Sequence, residues 1–256
     1  MGLTRLALKF AAPLPDLEAF ERYLFVGPHP DDIEIGAGAT TSRLASLGKS
    51  VTFLICTDGR YGDENTSLRG QELAQVRKEE ARRSAGLLGV SDVRFLNLSD
   101  GGFYPREELV SGIAQVIGDV QPDVIFAPDP NVRSECHVDH LNVGQAVRRL
   151  AYLASNSGIM EQYGAKSAQI QALAYYMTAR PNRFVSTRGH LQKQLDAIFS
   201  CHESQFPPGS AGAGSIRLYL KLRSADFGIR SMKGQAEGFR VLGQTQMHCL
   251  PEADNP

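Results

Sequence analysis

Two short segments of this 256-residue chain concentrate side chains able to hold a divalent cation and to move protons. The first is HPDD, in which His29 and the adjacent carboxylates of Asp31 and Asp32 follow the apolar run Tyr23 to Val26. The second is SECHVDHLNVG, with Cys136, His137, Asp139 and His140. No cation stands between Arg22 and Arg43 to neutralise the aspartate pair. Imidazole with carboxylate is a common donor set for zinc or iron, and catalytic sites of this kind use three protein ligands and leave one position open. A metal at such a position lowers the pKa of a water held there to about 7 and polarises a carbonyl, which is what hydrolysis of an amide requires. The competing reading of Asp31 and Asp32 is structural: an Asp pair that caps the next helix and offsets its dipole. Three of the six histidines fall in these two segments, which weighs towards the metal.

The elements that must position them are legible on either side. Tyr23 to Val26 is compact, apolar and rich in aromatic or β-branched residues, and Gly27, Pro28 and Pro30 end it, so a buried strand stops there. Each proline fixes its own φ and pushes the preceding residue towards extended geometry, which holds His29 on a stiff turn. Val124 to Ala127 is a second such run ahead of the second segment. In an open parallel α/β sheet the loops beyond the carboxyl ends of the strands share one edge, where ligands bind. Two clusters on that edge can meet.

The pattern HPDD-x-E-x-G-x-G with a downstream H-x-D-H resembles the PIG-L/LmbE family of zinc-dependent N-acetylglucosamine deacetylases. TDGRYG at 57–62, Arg77 and Glu80 as R-x-x-E, Asp100-Gly101, HESQ at 202–205 and EGFR at 237–240 extend the resemblance over Tyr23 to Arg240. Ala39 stands where the family usually has Gly, and Val138 where Pro is frequent. The resemblance implies that His29, Asp32 and His140 hold zinc, with Fe(II) as the alternative ion. It further implies Asp31 as general base, His137 as the group that stabilises the oxyanion and protonates the leaving amine, and Asp139 as the partner that orients His137. Arg77 and Asp100 are implied as contacts to the sugar. The implied activity is removal of the acetyl group from an N-acetylglucosamine-type sugar. Two alternatives stay open: a metal-dependent hydrolase of another amide or a phosphoester, and a non-catalytic sugar- or metal-binding protein.

Around these motifs the periodicity predicts helices over 36–47, 71–88, 107–120, 141–153 and 191–200, with strands over 51–56, 93–98, 123–127, 172–177 and 184–186. Strands separated by helices predict a single-domain α/β fold, a Rossmann-like, mostly parallel sheet flanked by helices. Gly36-Ala37-Gly38 lacks the third glycine and the distal acid of a dinucleotide fingerprint, so no nucleotide cofactor is expected. Residues 1–22 read as an extension packed on the body or reaching a neighbouring subunit, and 23–206 as the core. PPGSAGAGS at 207–215 reads as a flexible linker, and the rest of 207–256 as a C-terminal segment folded back on the core.

Composition bounds the class of function. The chain has 27 basic and 28 acidic residues, a net charge of −1, 42% hydrophobic and 21% charged residues. That is an ordinary globular balance without the basic footprint of nucleic-acid binding. No run reaches the ~18 apolar residues of a membrane span. Cys56, Cys136, Cys201 and Cys249 stand far apart with no C-x-x-C pair, so a reducing, cytoplasmic location is expected. Cys136 beside His137 is read as inert rather than nucleophilic. A small amino-sugar substrate and a homo-oligomeric assembly complete the expectations.

Overall fold

The computed structural model describes residues 7, 8, 10–62, 67–248 and 250. Cys249 and parts of the N-terminal extension lie outside them. Strands β1 (Arg22–Gly27), β2 (Ser50–Thr57), β3 (Asp92–Leu98), β4 (Val124–Pro128), β5 (Ala172–Tyr176), β6 (Arg183–Ser186) and β7 (Ala236–Gly243) form one sheet in the order β3-β2-β1-β4-β5-β7-β6. The first five run parallel, while β7 is antiparallel to both β5 and β6. The helices are α1 (Asp32–Ser46), α2 (Gly70–Leu88), α3 (Arg106–Val120), α4 (Val138–Leu153), α5 (Ser157–Glu161), α6 (Leu191–Cys201) and α7 (Ala211–Ser231).

Alternation along the strands sends side chains to two cores. Leu24 and Val26 of β1 pack with Ile113 and Ile117 of α3 and Val147 and Leu150 of α4. Tyr23 and Phe25 face the opposite way, towards Leu44 of α1 and Ala81 and Ala85 of α2. Phe25 stacks on Phe126 at 4.2 Å, and Phe126 meets Phe239 edge-on at 5.1 Å, tying β1 to β4 and β7. Because the sheet is buried on both faces, its central strands read as continuous apolar runs, as the sequence suggested.

The strand order explains how the two motifs meet. The chain winds one way from β1 to β3 and the other way from β4 onwards, so β1 and β4 are neighbours, paired from Tyr23–Val124 to Phe25–Phe126. Their carboxyl ends form the switch point at which ligands bind in such sheets. HPDD follows β1, and the 129–137 loop, which leads into α4 with His140 in its first turn, follows β4. Among the described residues no helix is long and apolar enough to cross a membrane.

The stretch PPGSAGAGS departs from the linker expectation. Ser210 caps α7 by accepting from the Ala213 N–H, and the helix runs on from Ala211. Alanine is the best helix former, and Leu220 and Phe227 anchor the helix further along, so only Pro207 to Ser210 remain as a turn.

Gly36 in α1 lies against the ring of Tyr176: a Cβ there would stand 2.2 Å from Cδ2. The ring cannot swing away freely, since its hydroxyl donates to the Val26 carbonyl at 2.8 Å. Gly36→Ala is therefore expected to destabilise by about 1–3 kcal/mol. Gly214→Ala, on a helix with open space around it, should stabilise by about 0.5–1 kcal/mol. Denaturant midpoints of the two variants check this; equal shifts would contradict the packing argument.

Candidate active site

The turn after β1 is pinned before it reaches the functional residues. Both the backbone N–H and the hydroxyl of Thr57 donate to the Pro28 carbonyl at 2.8 Å, which ties the turn to the end of β2. Asp31 then adopts φ 144°, a region that costs a non-glycine residue on the order of 1–3 kcal/mol and is found where function requires it. Its side chain makes no capping hydrogen bond although it stands at the N-terminus of α1, so the structural reading of the aspartate pair does not hold for Asp31. Arg77 holds this geometry: its Nη2 donates to the Pro30 carbonyl at 3.2 Å and lies 3.4 Å from Asp31 Oδ2.

Asp32 is the hub of the cluster. Its Oδ2 lies 2.9 Å from His29 Nδ1 and accepts from the His29 N–H at 2.8 Å, while its Oδ1 lies 3.4 Å from His140 Nε2. The other side of His140 is held by Glu135, at 2.9 Å from Nδ1. One nitrogen each of His29, His137 and His140 lies within 4.8 Å of the others, a group able to hold a metal ion. Three imidazoles so close would repel one another as cations, whereas with carboxylates around them they suit a divalent metal.

Asp139, fully buried, is the second hub. It accepts from the Gly101 N–H at 2.7 Å, the Gly102 N–H at 2.9 Å and the Tyr104 hydroxyl at 2.9 Å, and lies 3.1 Å from His29 Nε2. His137 is farther, with Nδ1 at 3.8 Å from that carboxylate and accepting instead from the Asp139 backbone N–H at 3.3 Å. The neutral His137 thus carries its proton on Nε2. The nearest imidazole to Asp139 is His29, not the His137 that the sequence motif suggests.

The electrostatics separate the two aspartates. Burial pushes the Asp31 carboxyl up, and the neighbouring Arg77 offsets this only in part. Asp32 is also buried, but His140 and His29 outweigh burial and hold it well below the carboxylate range. For His29 and His140 burial pulls the pKa down, yet Asp32 prevails and raises them to about 10 and about 9. Burial and the two neighbouring imidazoles lower that of His137. For Asp139, burial is overcome by the bonds from His29, Gly101 and Tyr104, which bring it to about 2. The pocket therefore stabilises positive charge between Asp32 and Asp139, beside one carboxyl that ionises reluctantly.

Arg77 and Asp100 are 3% and 5% exposed, and both are committed to loops. Arg77 also donates to the Gly59 carbonyl at 3.1 Å, and a Cβ on Gly59 or Gly62 would clash with its guanidinium at 2.4 or 2.0 Å. Asp100 accepts from the Tyr61 N–H at 3.2 Å. Glu80 binds the HESQ turn through the N–H and hydroxyl of Ser204. His202, which the sequence leaves without a partner, is fully buried with Nε2 at 3.2 Å from the equally buried Glu34. Glu135 and Tyr104 were missed as well. Glu135 sits inside the second motif and its carboxylate was a visible signal; Tyr104 is brought in only by the fold. Cys136 is exposed and its thiol points to the Ser134 carbonyl at 3.7 Å, outside both hubs.

The known proteins that this chain resembles include deacetylases of acetylated sugars. The family model PIG-L, described as GlcNAc-PI de-N-acetylase, matches residues 24–151, half of the chain. The chain is 32% identical over 255 residues to the diacetylchitobiose deacetylase of Thermococcus kodakarensis, covering 98% of this chain and 93% of that one. It is 33% identical over 203 residues to the 1D-myo-inositol 2-acetamido-2-deoxy-alpha-D-glucopyranoside deacetylase of Kineococcus radiotolerans, covering 67% of this chain and 55% of that one. The chain thus spans nearly all of the first relative and about half of the second. Among solved structures, N,N'-diacetylchitobiose deacetylase from Pyrococcus horikoshii, in complex with an inhibitor, superposes with a TM-score of 0.86 at 28% identity, over 98% of this chain and 97% of that one.

Proposed function

This chain belongs to the PIG-L family, and from that premise we propose that it is a metal-dependent hydrolase that removes the N-acetyl group from an N-acetylglucosamine-type sugar, giving acetate and a free amine. The observation that carries the reading is the double hub: Asp32 between two imidazoles, with the reluctantly ionised Asp31 next to it in the chain. His29, Asp32 and His140 are the proposed ligands, and zinc, with Fe(II) as the alternative, is the proposed ion. When bound there, the metal supplies an activated water and polarises the acetamide carbonyl.

The chain's own residues supply the proton transfers and the orientation. Asp31 accepts the proton of the attacking water, a task suited to a carboxyl whose burial raises its basicity. Its strained backbone, fixed by Arg77, leaves the carboxylate beside the Arg77 guanidinium and without a capping bond to the helix N-terminus. His137, neutral and with its proton on Nε2, donates a hydrogen bond to the oxygen on which charge develops and keeps that proton, while the proton taken up by Asp31 from the water goes to the leaving amine, so that both groups end as they began. Asp139 holds the His29 ring and the Gly101-Gly102 turn in place. Arg77 and Asp100, implied by the resemblance as sugar contacts, are proposed instead to shape the wall at 58–62 against which the sugar lies. The exposed rings of Tyr61 and Phe103, in edge contact at 5.9 Å, offer that wall an apolar face. A reducing, cytoplasmic location fits the free thiols of Cys56, Cys136 and Cys201.

The test is a product assay on the metal-loaded protein with N,N'-diacetylchitobiose and other N-acetylglucosamine conjugates. Acetate and free amine are expected in equal amounts. Phosphate release from phosphoesters without acetate from any conjugate would favour the phosphoesterase alternative.

A further inference from the structure

Helix α1 is two helical pieces joined at Ala37, where the backbone leaves helical geometry at φ −153° and ψ 18°. The first piece, residues 32–36, is little more than one turn and carries Asp32, with Asp31 just ahead of it. The second piece packs on the sheet through Leu44. In an unbroken helix the Ala39 N–H would donate to the Ile35 carbonyl, and kinks arise where a side chain inserts into that ladder.

Two side chains from distant elements enter the break. Gln194 of α6 donates through Nε2 to the Glu34 carbonyl at 2.8 Å and the Ile35 carbonyl at 3.4 Å, on the side of the first piece. Glu237 of β7 accepts from the Ala39 N–H at 3.2 Å and the Thr40 N–H at 2.7 Å, where the dipole of the second piece favours an anion. The two also meet each other, with Gln194 Nε2 donating to Glu237 Oε1 at 2.9 Å. An amide that serves carbonyls and a carboxylate that serves N–H groups thus close the break as one clasp, 2% and 9% exposed. The glycines of the first motif make room for it: a Cβ on Gly38 would stand 2.9 Å from Gln194 Cγ, as one on Gly36 would strike Tyr176.

We propose that Gln194 and Glu237 are positioning residues for Asp31 and Asp32. They act through the backbone of residues 32–36, so that the direction of this turn is set by α6 and β7 rather than by the rest of α1. The proposal rests on the roles given above to the two aspartates in the deacetylase reading. Because Asp32 faces His29 and His140 at once, a tilt of its turn alters both contacts together.

The experiment compares wild type with Glu237→Gln, Gln194→Met and Leu44→Ala, the last removing core packing from the second piece while leaving the clasp intact. Zinc affinity is measured by competition with a chromophoric chelator, and kcat and KM for N,N'-diacetylchitobiose on zinc-saturated protein, all well below the unfolding transition. Both clasp variants should bind zinc about 10- to 100-fold more weakly and lose about 10- to 100-fold in kcat, with KM unchanged. Glu237→Asp, which keeps a carboxylate at shorter reach, should recover part of both losses. Leu44→Ala should unfold at lower denaturant yet keep wild-type zinc affinity and kcat. Clasp variants that lose stability but keep wild-type zinc affinity and kcat overturn the proposal, since their part would then be structural only; if one of them fails to fold, the other carries the test. If the wild type releases no acetate from any conjugate, the deacetylase reading fails, whereas weakened zinc binding in the clasp variants would still support the positioning of Asp32.

Discussion

Asp31→Asn is expected to lower the rate of acetate release by about 10² to 10⁴ while leaving the metal content of the protein unchanged. The amide keeps the shape of the side chain, so the backbone strain at φ 144° is expected to be the same in the variant. What it lacks is the ability to accept a proton at neutral pH. The loss should therefore fall on kcat, with the fold and the Arg77 contact to the Pro30 carbonyl retained. Asp32→Asn should fail differently. It removes the anion that faces both His29 and His140, so metal should dissociate and activity should return in part on adding excess metal. A metal-loaded Asp31→Asn protein that turns over normally would show that the base lies elsewhere.

The histidines separate in the same way. His29, His137 and His140 all approach within reach of one ion, so two ligand sets compete: the three imidazoles, or His29 and His140 with Asp32. The proposed set includes Asp32, because its two oxygens face both rings and because His137 is the most exposed of the three, with 47% of its side chain accessible. His140→Ala is accordingly expected to lose the metal and nearly all activity. His137→Ala should keep about one metal per chain and lose about 10²–10³ in kcat, the cost of one donor to a developing oxyanion. Metal analysis of the two purified variants decides between the sets; metal lost from His137→Ala would favour the three-imidazole site.

Much of this was legible in the chain because the strongest signals are local. The stop of β1 at Gly27-Pro28 and the apolar run of β4 place both motifs at strand ends, and an α/β sheet brings strand ends together. The left-handed Gly89 after Leu88 closes α2 where the sequence indicates. Signals failed where partners come from tertiary structure. Helix α4 starts at Val138, not Leu141, because His137, a residue not favoured as a cap, accepts from the Asp139 N–H. Arg77 looks like a surface residue on a charged helix face, yet it is buried because Gly59 and Gly62 leave room for its guanidinium. Tyr104 and Asp139 lie 35 positions apart and no spacing rule links them. The PPGSAGAGS stretch misleads because glycine signals flexibility while its alanines and Ser210 build a capped helix.

The central claim, that acetate is released through a metal held at this cluster, is tested most directly by stripping the protein of metal and reloading it stepwise with zinc, recording bound metal and acetate release from N,N'-diacetylchitobiose on each sample. Acetate release should be negligible in the stripped protein, rise in proportion to bound metal and level off at about one ion per chain. Stripped protein that releases acetate at the rate of the reloaded protein, or reloaded protein that releases none, would contradict it.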